Sequence, residues 1–318
     1  MMTLEMRTVL RETLAEEMTR NEKILLFNAD LGKANDTHVL EDAFPGRAIN
    51  LGIAEQNILS ISAGAASYGM IPIVNTFAAF ASRRACDQIA ISVAYANQNV
   101  KIIGTDPGIS AELNGGTHMG IEDIGVLRSI PNITLMEACD AEELRQMIRY
   151  MNSVHGPFYL RMPRRAILEV HEPNYKFRFG KADLLRQGKD VTIIASGITV
   201  TDAVQAASEL ANSGIDAELI NMHTLKPIDA EGIVQSAMKT GAIVTVENHN
   251  VLGGLRSAVA EAVTEKFPVR IYPLGIRDRK GQVGRVAYLK EAYGFDANSI
   301  CETAIKAVRE KRSVANAR

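Results

Sequence analysis

Three short stretches of the sequence carry side chains that could do chemistry. Glu55 stands in residues 50–57 (NLGIAEQN), at what the pattern predicts to be the first turn of a helix. Phe77 and Phe80 lie three residues apart where a strand should pass into a helix, a spacing that places both rings on one side. His118 follows a pair of glycines in a loop. A carboxylate can hold a proton, aromatic faces can stack on a planar group, and a histidine can transfer protons near neutral pH.

Each of these side chains also has an ordinary structural explanation. A carboxylate at a helix start favours the helix dipole, most aromatic residues pack in cores, and a lone histidine is more often structural than catalytic. The predicted positions of these side chains in the fold favour a chemical role over a structural one. Glycines let a backbone approach a ligand closely, and a loop that follows a parallel strand lies at the edge of the sheet where ligands bind. Spacing alone leaves both explanations open.

The elements that must position these stretches alternate between short apolar runs and segments with helical periodicity. In the first half, strands are predicted at 24–27, 48–52, 71–75, 100–104, 133–136 and 158–161, and helices at 4–18, 79–96, 121–128 and 140–152, with another at Glu55. In the second half, strands are predicted at 191–195, 216–220, 242–247 and 269–272, and helices at 199–211, 228–238, 254–266 and 297–308. We therefore predict an α/β fold of two open α/β domains, residues 1–170 and 189–318, joined by a linker at 171–188.

The composition is typical of an ordinary globular protein. Of 318 residues, 47% are apolar and 23% are charged, and the net charge of −2 offers no basic surface for nucleic acid. No apolar run reaches the ~20 residues that cross a bilayer, and we expect no signal peptide at the N-terminus. Three scattered cysteines without metal-binding spacing indicate reduced thiols. We expect a cytoplasmic protein that binds neither nucleic acid nor membranes.

Two familiar kinds of motif are absent. No G-x-G-x-x-G follows the first predicted strand, and no Gly-Lys-Ser/Thr phosphate loop occurs. Pairs of His or Cys with the spacing of metal ligands are absent as well. We therefore expect that this chain alone does not hold a diphosphate or a metal ion in a familiar way.

Taken together, the motifs resemble those of transketolases. Residues 51–57 are similar to G-[IV]-x-E-Q-N, residues 76–80 to T-F-x-x-F, residues 115–122 to G-x-T-H-x-x-x-E, and residues 28–31 to the A-D-L near the start of the same domain. Pro227 and Glu247 fall where the family's C-terminal domain has its L-K-P and V-E segments. The match covers essentially the whole chain, but it corresponds only to the C-terminal half of a transketolase. The chain therefore resembles the C-terminal subunit of a split, two-chain transketolase.

This resemblance implies a thiamine-diphosphate pyrimidine-binding domain followed by a transketolase C-terminal domain. Glu55 would be a catalytic residue that hydrogen-bonds the N1′ nitrogen of the aminopyrimidine ring of thiamine diphosphate. Phe80 would stack on that ring, with Phe77 behind it. Leu31 would pack beneath the cofactor, and Asp30 would lie near it. The diphosphate and a Mg²⁺ ion would be held mainly by a partner, the N-terminal transketolase subunit, in an α2β2 heterotetramer.

The resemblance also implies contacts to the sugar. His118 would be a second catalytic residue and would bind the hydroxyls of the donor. Asn114 stands where the family has an Asp, Thr105 where it usually has a His, and Ala34 where it has a Ser that helps to hold the acceptor phosphate. Lys33, beside Ala34, is a candidate contact for the same phosphate. These departures predict a non-standard ketose, such as a branched or a sulfonated sugar.

Four arginines are candidates for binding a phosphate or sulfonate, because the guanidinium fork suits such anions. They are Arg83, Arg84, Arg161 and Arg164. Arg161 is the leading candidate, since it lies at a strand end in the segment where the family keeps a phosphate-binding Arg. For each arginine, a surface ion pair is the alternative explanation.

The predicted function is transfer of a two-carbon glycolaldehyde unit from a ketose, or its phosphate, to an aldose phosphate. The beta chain of a 2-oxoacid dehydrogenase first component is the main alternative, because it has similar length and two similar domains. This alternative is disfavoured because residues 54–57 and 115–122 are of transketolase type. A non-catalytic scaffold protein is disfavoured by the retained Glu55, Phe80 and His118. A deoxyxylulose-phosphate synthase is disfavoured because that class needs a long N-terminal region.

Overall fold

Two mainly parallel sheets form the centre of the computed structural model, which describes residues 3–316. The strands are β1 (Thr3–Glu5), β2 (Ile24–Asn28), β3 (Ala48–Asn50), β4 (Ile71–Phe77), β5 (Lys101–Thr105), β6 (Thr134–Glu137), β7 (Phe158–Met162), β8 (Ala166–Leu168), β9 (Asp183–Arg186), β10 (Val191–Ala195), β11 (Ala217–Asn221), β12 (Thr224–Lys226), β13 (Ala242–Asn250) and β14 (Arg270–Ile276). The α-helices are α1 (Met6–Arg20), α2 (Val39–Ala43), α3 (Glu55–Ser67), α4 (Ala78–Arg83), α5 (Asp123–Arg128), α6 (Ala141–Ser153), α7 (Val200–Asn212), α8 (Ala230–Thr240), α9 (Leu255–Lys266), α10 (Val286–Tyr293) and α11 (Ala297–Asn316). The predicted α/β fold class is confirmed.

The first sheet has the strand order β12-β6-β7-β5-β4-β2-β3. Strands β2 to β7 are parallel, whereas β12 pairs antiparallel with β6. Every residue of β4 and β5 is buried, as expected for apolar strands with helices on both faces. Because parallel strands end on the same side, the segments that follow β2, β3, β4 and β5 meet at one edge of this sheet, here named the carboxyl edge.

The second sheet has the order β14-β13-β10-β11-β9, with β9 antiparallel to β11. Side chains alternate between its two faces along each strand. Ile194 packs with residues of α8 and α9 on one face, while Ile193 packs with residues of α7 and α11 on the other. Each face is therefore covered by a pair of helices.

Two short strands cross the predicted domain boundaries. Strand β9 lies inside the predicted linker, yet it is hydrogen-bonded at the edge of the second sheet. Strand β12 belongs by sequence to the second domain, yet it completes the first sheet. Strands of three or four residues carry too little pattern of their own, so their pairing is decided by the surrounding tertiary structure.

The prediction of one continuous helix at 79–96 is wrong. Helix α4 ends at Arg83, a turn follows at Arg84 and Ala85, and a π-helix then runs over Gln88–Tyr95. Arg84, at the end of α4, pairs with Glu55 at the carboxyl edge.

Candidate active site

The carboxyl edge of the first sheet brings together the stretches that the sequence singled out. Asp30 and Leu31 follow β2, Glu55 follows β3, and Phe77 ends β4. A longer segment, residues 106–122, follows β5 and carries His118; it is named here the His118 loop. These residues are far apart in sequence, and the parallel order β5-β4-β2-β3 is what makes them neighbours.

Glu55 is the first residue of α3, and its carboxylate is buried with only 2% of the side chain exposed. Its Oε1 atom lies 3.4 Å from the Thr76 hydroxyl, and both of its oxygens lie 3.2 Å from one Nη atom of Arg84. Arg84 is itself half-exposed and borders an open cleft beside Glu55. A buried carboxylate that lines such a cleft can hydrogen-bond a weakly basic ligand there.

Phe77, Phe80 and His118 form one aromatic cluster. The ring centroids are 5.8 Å apart for Phe77–Phe80, 5.1 Å for Phe80–His118 and 5.9 Å for Phe77–His118. The Arg84 guanidinium lies 4.0 Å from the Phe80 ring. Phe77 is buried whereas Phe80 is part-exposed, so Phe80 offers the accessible ring and Phe77 supports it from behind.

Arg83 holds the His118 loop in place. It donates to the backbone carbonyls of Thr117 (3.2 Å) and Met119 (2.6 Å), on either side of His118, and pairs with Glu122. The hydrogen bond from Arg83 to Glu122 raises the pKa of Arg83 above its ordinary value. These bonds hold the loop, while Arg83 is also exposed and lines the cleft beside Glu55, so its predicted role as a substrate contact stays a prediction.

Asn50 connects the segment after β2 to the segment before α3. Its side chain accepts a hydrogen bond from the Asp30 backbone (3.1 Å) and from the Gly52 backbone (3.0 Å), and donates to the Asp30 carboxylate (3.2 Å). Asp30 adopts a left-handed φ of 58°, a conformation that this bonding stabilises. Leu31 follows as a part-buried side chain at the same edge, and Lys33 is exposed.

Arg161 does not lie where the prediction of an anion contact requires. Its guanidinium is fully buried and donates to Asp123 (2.8 Å), Glu137 (2.5 Å) and the backbone carbonyl of Asn248 (3.1 Å). Burial opposes its charge, but the two carboxylates outweigh that effect and raise the pKa of Arg161 above its ordinary value. The prediction is wrong because Arg161 is a structural ion-pair residue between the two sheets.

Arg164, three residues further on, lies at the carboxyl edge. Its guanidinium pairs with Asp106, donates to the carbonyl of Ala34 (3.2 Å) and lies 4.8 Å from the Phe77 ring. Burial raises the pKa of Asp106 above its ordinary value, although Arg164 acts in the opposite direction. Of the arginines that the sequence singled out, Arg164 joins the aromatic cluster to the segment around Ala34.

Two positions that depart from the family's pattern lie in different surroundings. Thr105 is fully buried, within 3.1 Å of the Asn35 side chain and 3.3 Å of the Thr76 carbonyl. It therefore supports the edge from beneath and has no exposed atom with which to touch a sugar. Asn114 is exposed on the His118 loop, as its predicted role in substrate binding needs.

Sequence reasoning missed the contacts of Arg84 with Glu55 and Phe80, and the bonding role of Asn50. A sequence signal existed for Arg84, because position 84 lies four residues after Phe80 and so shares its helical face. The turn that follows α4 preserves this contact. For Asn50 no sequence signal distinguished it from any polar residue at a strand end.

Two family models match nearly the whole chain. The model "Transketolase, pyrimidine binding domain" matches residues 2–168, and "Transketolase, C-terminal domain" matches residues 180–300. The chain belongs to the transketolase family. This family depends on thiamine diphosphate, so the pyrimidine-binding domain is the one that carries Glu55, Phe80 and His118.

Relatives identify the part of the enzyme to which this transketolase chain corresponds. The 6-deoxy-6-sulfo-D-fructose transketolase subunit SqwH of Clostridium sp. (strain MSTE9) is 47% identical over 300 residues, which cover 94% of this chain and 93% of the relative. One of the apulose-4-phosphate transketolase subunits, from Phocaeicola vulgatus, is 36% identical over 301 residues, covering 94% and 96%. A solved structure, "Split gene transketolase, inactive beta4 tetramer", superimposes with a TM-score of 0.87 at 39% identity, covering 96% of this chain and 98% of that one.

The chain is therefore a split-transketolase subunit of the C-terminal type, and the prediction of a transketolase is confirmed. The alternative of a 2-oxoacid dehydrogenase beta chain is not supported, because these relatives are transketolase subunits. Within residues 3–316, no helix combines the length and the apolar character needed to span a bilayer.

Proposed function

We propose that this chain forms one half of a thiamine-diphosphate site, with an N-terminal transketolase subunit supplying the other half in an α2β2 heterotetramer. The likeness to separate transketolase subunits of nearly the same length supports a two-chain enzyme. The related β chain forms an inactive tetramer by itself, as the description of its structure states. We expect this chain also to be inactive without its partner, because the pyrimidine-binding domain alone cannot surround the whole cofactor.

The residues at the carboxyl edge fit the pyrimidine end of the cofactor. An aminopyrimidine ring needs a carboxylate at one nitrogen and an apolar face to stack on. The buried Glu55 carboxylate, the part-exposed Phe80 ring and the adjacent cleft meet these needs together. Leu31 would pack beneath the cofactor, and Asp30 would line the same edge. This combination is the observation that carries the proposal.

When bound, thiamine diphosphate supplies the nucleophilic carbon of the reaction. Glu55 would share a proton with the N1′ nitrogen, and its burial strengthens that bond because little water competes for it. Phe80 would fix the plane of the ring, a contact worth ~0.5–1.5 kcal/mol beyond area burial. His118 would bind donor hydroxyls and exchange a proton with them; its Nδ1 lies 2.9 Å from the Thr117 hydroxyl, which leaves Nε2 for the sugar.

The partner chain would hold the diphosphate and the Mg²⁺ ion. Within residues 3–316, the groups of His, Cys, Asp and Glu that lie close enough to share an ion include neither Glu55 nor His118. We therefore propose that the partner supplies the ligands of this ion. We also propose a cytoplasmic location, supported by three cysteines that are all free thiols.

We propose a non-standard ketose as donor, with 6-deoxy-6-sulfo-D-fructose as the first candidate. The support is the 47% identity to a subunit named for that sugar, against 36% for one named for apulose 4-phosphate. Arg164, rather than Arg161, would approach the anionic end of a sugar, with exposed Asn114 and Lys33 as further contacts. Apulose 4-phosphate is the second candidate.

A transfer assay tests this function. The chain is mixed with an N-terminal partner subunit, thiamine diphosphate and Mg²⁺, and offered 6-deoxy-6-sulfo-D-fructose, apulose 4-phosphate or xylulose 5-phosphate with an aldose phosphate acceptor. Mass spectrometry should show donors shortened by two carbons, with the sulfonated ketose turned over fastest. A clear preference for xylulose 5-phosphate would overturn the donor proposal, and no transfer from any ketose would overturn the function. The chain without its partner should be inactive.

A further inference from the structure

The His118 loop passes between the two sheets and touches the second domain along its length. The Asn248 side chain, on β13, accepts from the Ile109 backbone (2.9 Å) and donates to the Pro107 carbonyl (2.9 Å). The Asn250 backbone donates to the Ile121 carbonyl (2.8 Å). Both ends of the loop are therefore bonded to one strand of the second domain.

A third contact supports the middle of the loop, next to His118. Gly281 lies in the irregular segment 277–285, between β14 and α10, and packs directly against Gly116. A Cβ atom added to Gly281 would lie 2.6 Å from the Gly116 Cα atom and 2.7 Å from the Met119 sulfur. Two glycines facing each other allow an approach that other residue pairs exclude.

The segment 277–285 is itself fixed in position. The Tyr293 hydroxyl donates to the Lys280 carbonyl at 2.8 Å. The Val286 backbone donates to the Glu112 carboxylate at 3.2 Å, and Arg285 lies 3.6 Å from the same carboxylate. Glu112 has a left-handed φ of 46°, a strained conformation that persists only where neighbouring groups hold it.

The opposite side of the loop rests on helix α4. A Cβ atom added to Gly120 would lie 2.8 Å from the Ala79 backbone nitrogen, at the start of α4. Arg83, at the end of that helix, donates to the carbonyls that flank His118. The loop is therefore held between α4 on one side and segment 277–285 on the other.

We propose that the C-terminal domain sets the position of His118, with Gly281 as the positioning residue that acts through Gly116. This inference rests on the proposed function, because it gives the C-terminal domain a role in binding the donor sugar. His118 touches the sugar, while Gly281 touches only the loop. The second domain would then be needed for donor binding even though the described residues that line the cleft beside Glu55 all belong to the first domain.

The variant Gly281→Ala tests this contact. The φ of Gly281 lies outside the left-handed region, so alanine strains no backbone and acts only through its Cβ atom. Moving that atom from 2.6 Å to an ordinary contact near 3.4 Å shifts the loop by nearly 1 Å. A misplacement of that size can reduce catalysis ~10²-fold, so we expect a loss of that order in kcat/KM for the donor ketose, with unchanged affinity for thiamine diphosphate.

Gly284→Ala is the matched control. It makes the same substitution in the same segment, but the atoms nearest to its Cβ atom would belong to the Tyr288 and Leu289 side chains of α10. We expect kcat/KM within about threefold of wild type, because the crowded side chains of α10 can adjust without moving the His118 loop. The proposal would be overturned if the two variants had equal kcat/KM. It would also be overturned if Gly281→Ala lost as much affinity for thiamine diphosphate as it lost in kcat/KM for the donor.

A readout without catalysis separates this proposal from the proposed function. The chain has six histidines, so the ring signals of histidine-labelled protein can be resolved by NMR and His118 assigned with His118→Gln. The His118 signal should move in Gly281→Ala and stay in place in Gly284→Ala. An unmoved signal in Gly281→Ala overturns the positioning role, whatever the sugar assay gives. A moved signal without transfer from any ketose supports the positioning contact and rejects the function.

Discussion

Replacing Arg161 by methionine should unfold this protein much more easily, because Arg161 neutralises two buried carboxylates. The Asp123 and Glu137 side chains are no more than 2% exposed and bond to the guanidinium at 2.8 and 2.5 Å. Methionine fills a similar apolar volume but leaves both acids without a cation. Removing one partner of a buried ion pair costs ~3–5 kcal/mol, a large share of the ~5–15 kcal/mol that stabilises a domain.

The loss can be measured by urea denaturation at one fixed chain concentration. The chain has no Trp, so unfolding is best followed by circular dichroism. A loss of ~3–5 kcal/mol corresponds to a fall in melting temperature of ~6–20 °C for a unit of this size. Arg149→Met is the matched control, because its ion pair with Glu16 is about 40–50% exposed and is worth ~0–1 kcal/mol.

A second measurement identifies the cause of the loss. Combining Arg161→Met with Asp123→Asn and Glu137→Gln removes the uncompensated charges, so part of the lost stability should return. The free energies of the single and combined variants then give the coupling directly. An Arg161→Met protein within ~1 kcal/mol of wild type would refute the reasoning, as would a combined variant no more stable than Arg161→Met alone.

Three further predictions concern other parts of the molecule. Burial opposes the charge of His171, but its hydrogen bond to Asp140 and the nearby Asp183 carboxylate outweigh that effect and raise the pKa of His171 to about 10. The stability lost in His171→Gln should therefore be largest below pH 6.5 and fade toward pH 10, and a constant difference in urea denaturation would contradict this. Phe80→Ala should weaken thiamine diphosphate binding by ~tenfold or more in calorimetry of the assembled enzyme, whereas Phe80→Tyr should keep the affinity of the wild type. Equal affinities of the Phe80→Ala and Phe80→Tyr enzymes would argue against stacking. Glu247→Ala leaves two backbone donors at the start of α9 without an acceptor and should cost ~1–3 kcal/mol, whereas unchanged stability would exclude that capping role.

The sequence was sufficient to predict which stretches meet, because one simple rule governs a parallel sheet. Buried apolar strands are easy to recognise, and the segments that follow them must gather at one edge. That rule predicts that Glu55, Phe77, Phe80 and His118 lie together, and the structure places them as neighbours. Their chemical roles stay predictions until a variant is measured.

Details that depend on distant partners were not predictable in this way. The sequence favours Arg161 over Arg164 as the anion contact, because nothing near Arg161 in the chain reveals that it is an ion-pair residue. Its partners Asp123 and Glu137 lie 38 and 24 residues away. The strands β9 and β12 are too short to show a pattern. The glycine contact between positions 116 and 281 joins residues from different domains, and nothing local in either segment indicates it.

The decisive measurement is the activity of Glu55→Gln in the assembled two-chain enzyme. Glutamine keeps the size of the side chain but removes the carboxylate that would share a proton with the cofactor. Transfer of the two ¹³C-labelled carbons of a ketose donor should fall at least ~10²-fold, while the surface control Glu12→Gln stays at the wild-type rate. Full activity of a folded, assembled Glu55→Gln enzyme would contradict the proposal that this chain provides the catalytic carboxylate.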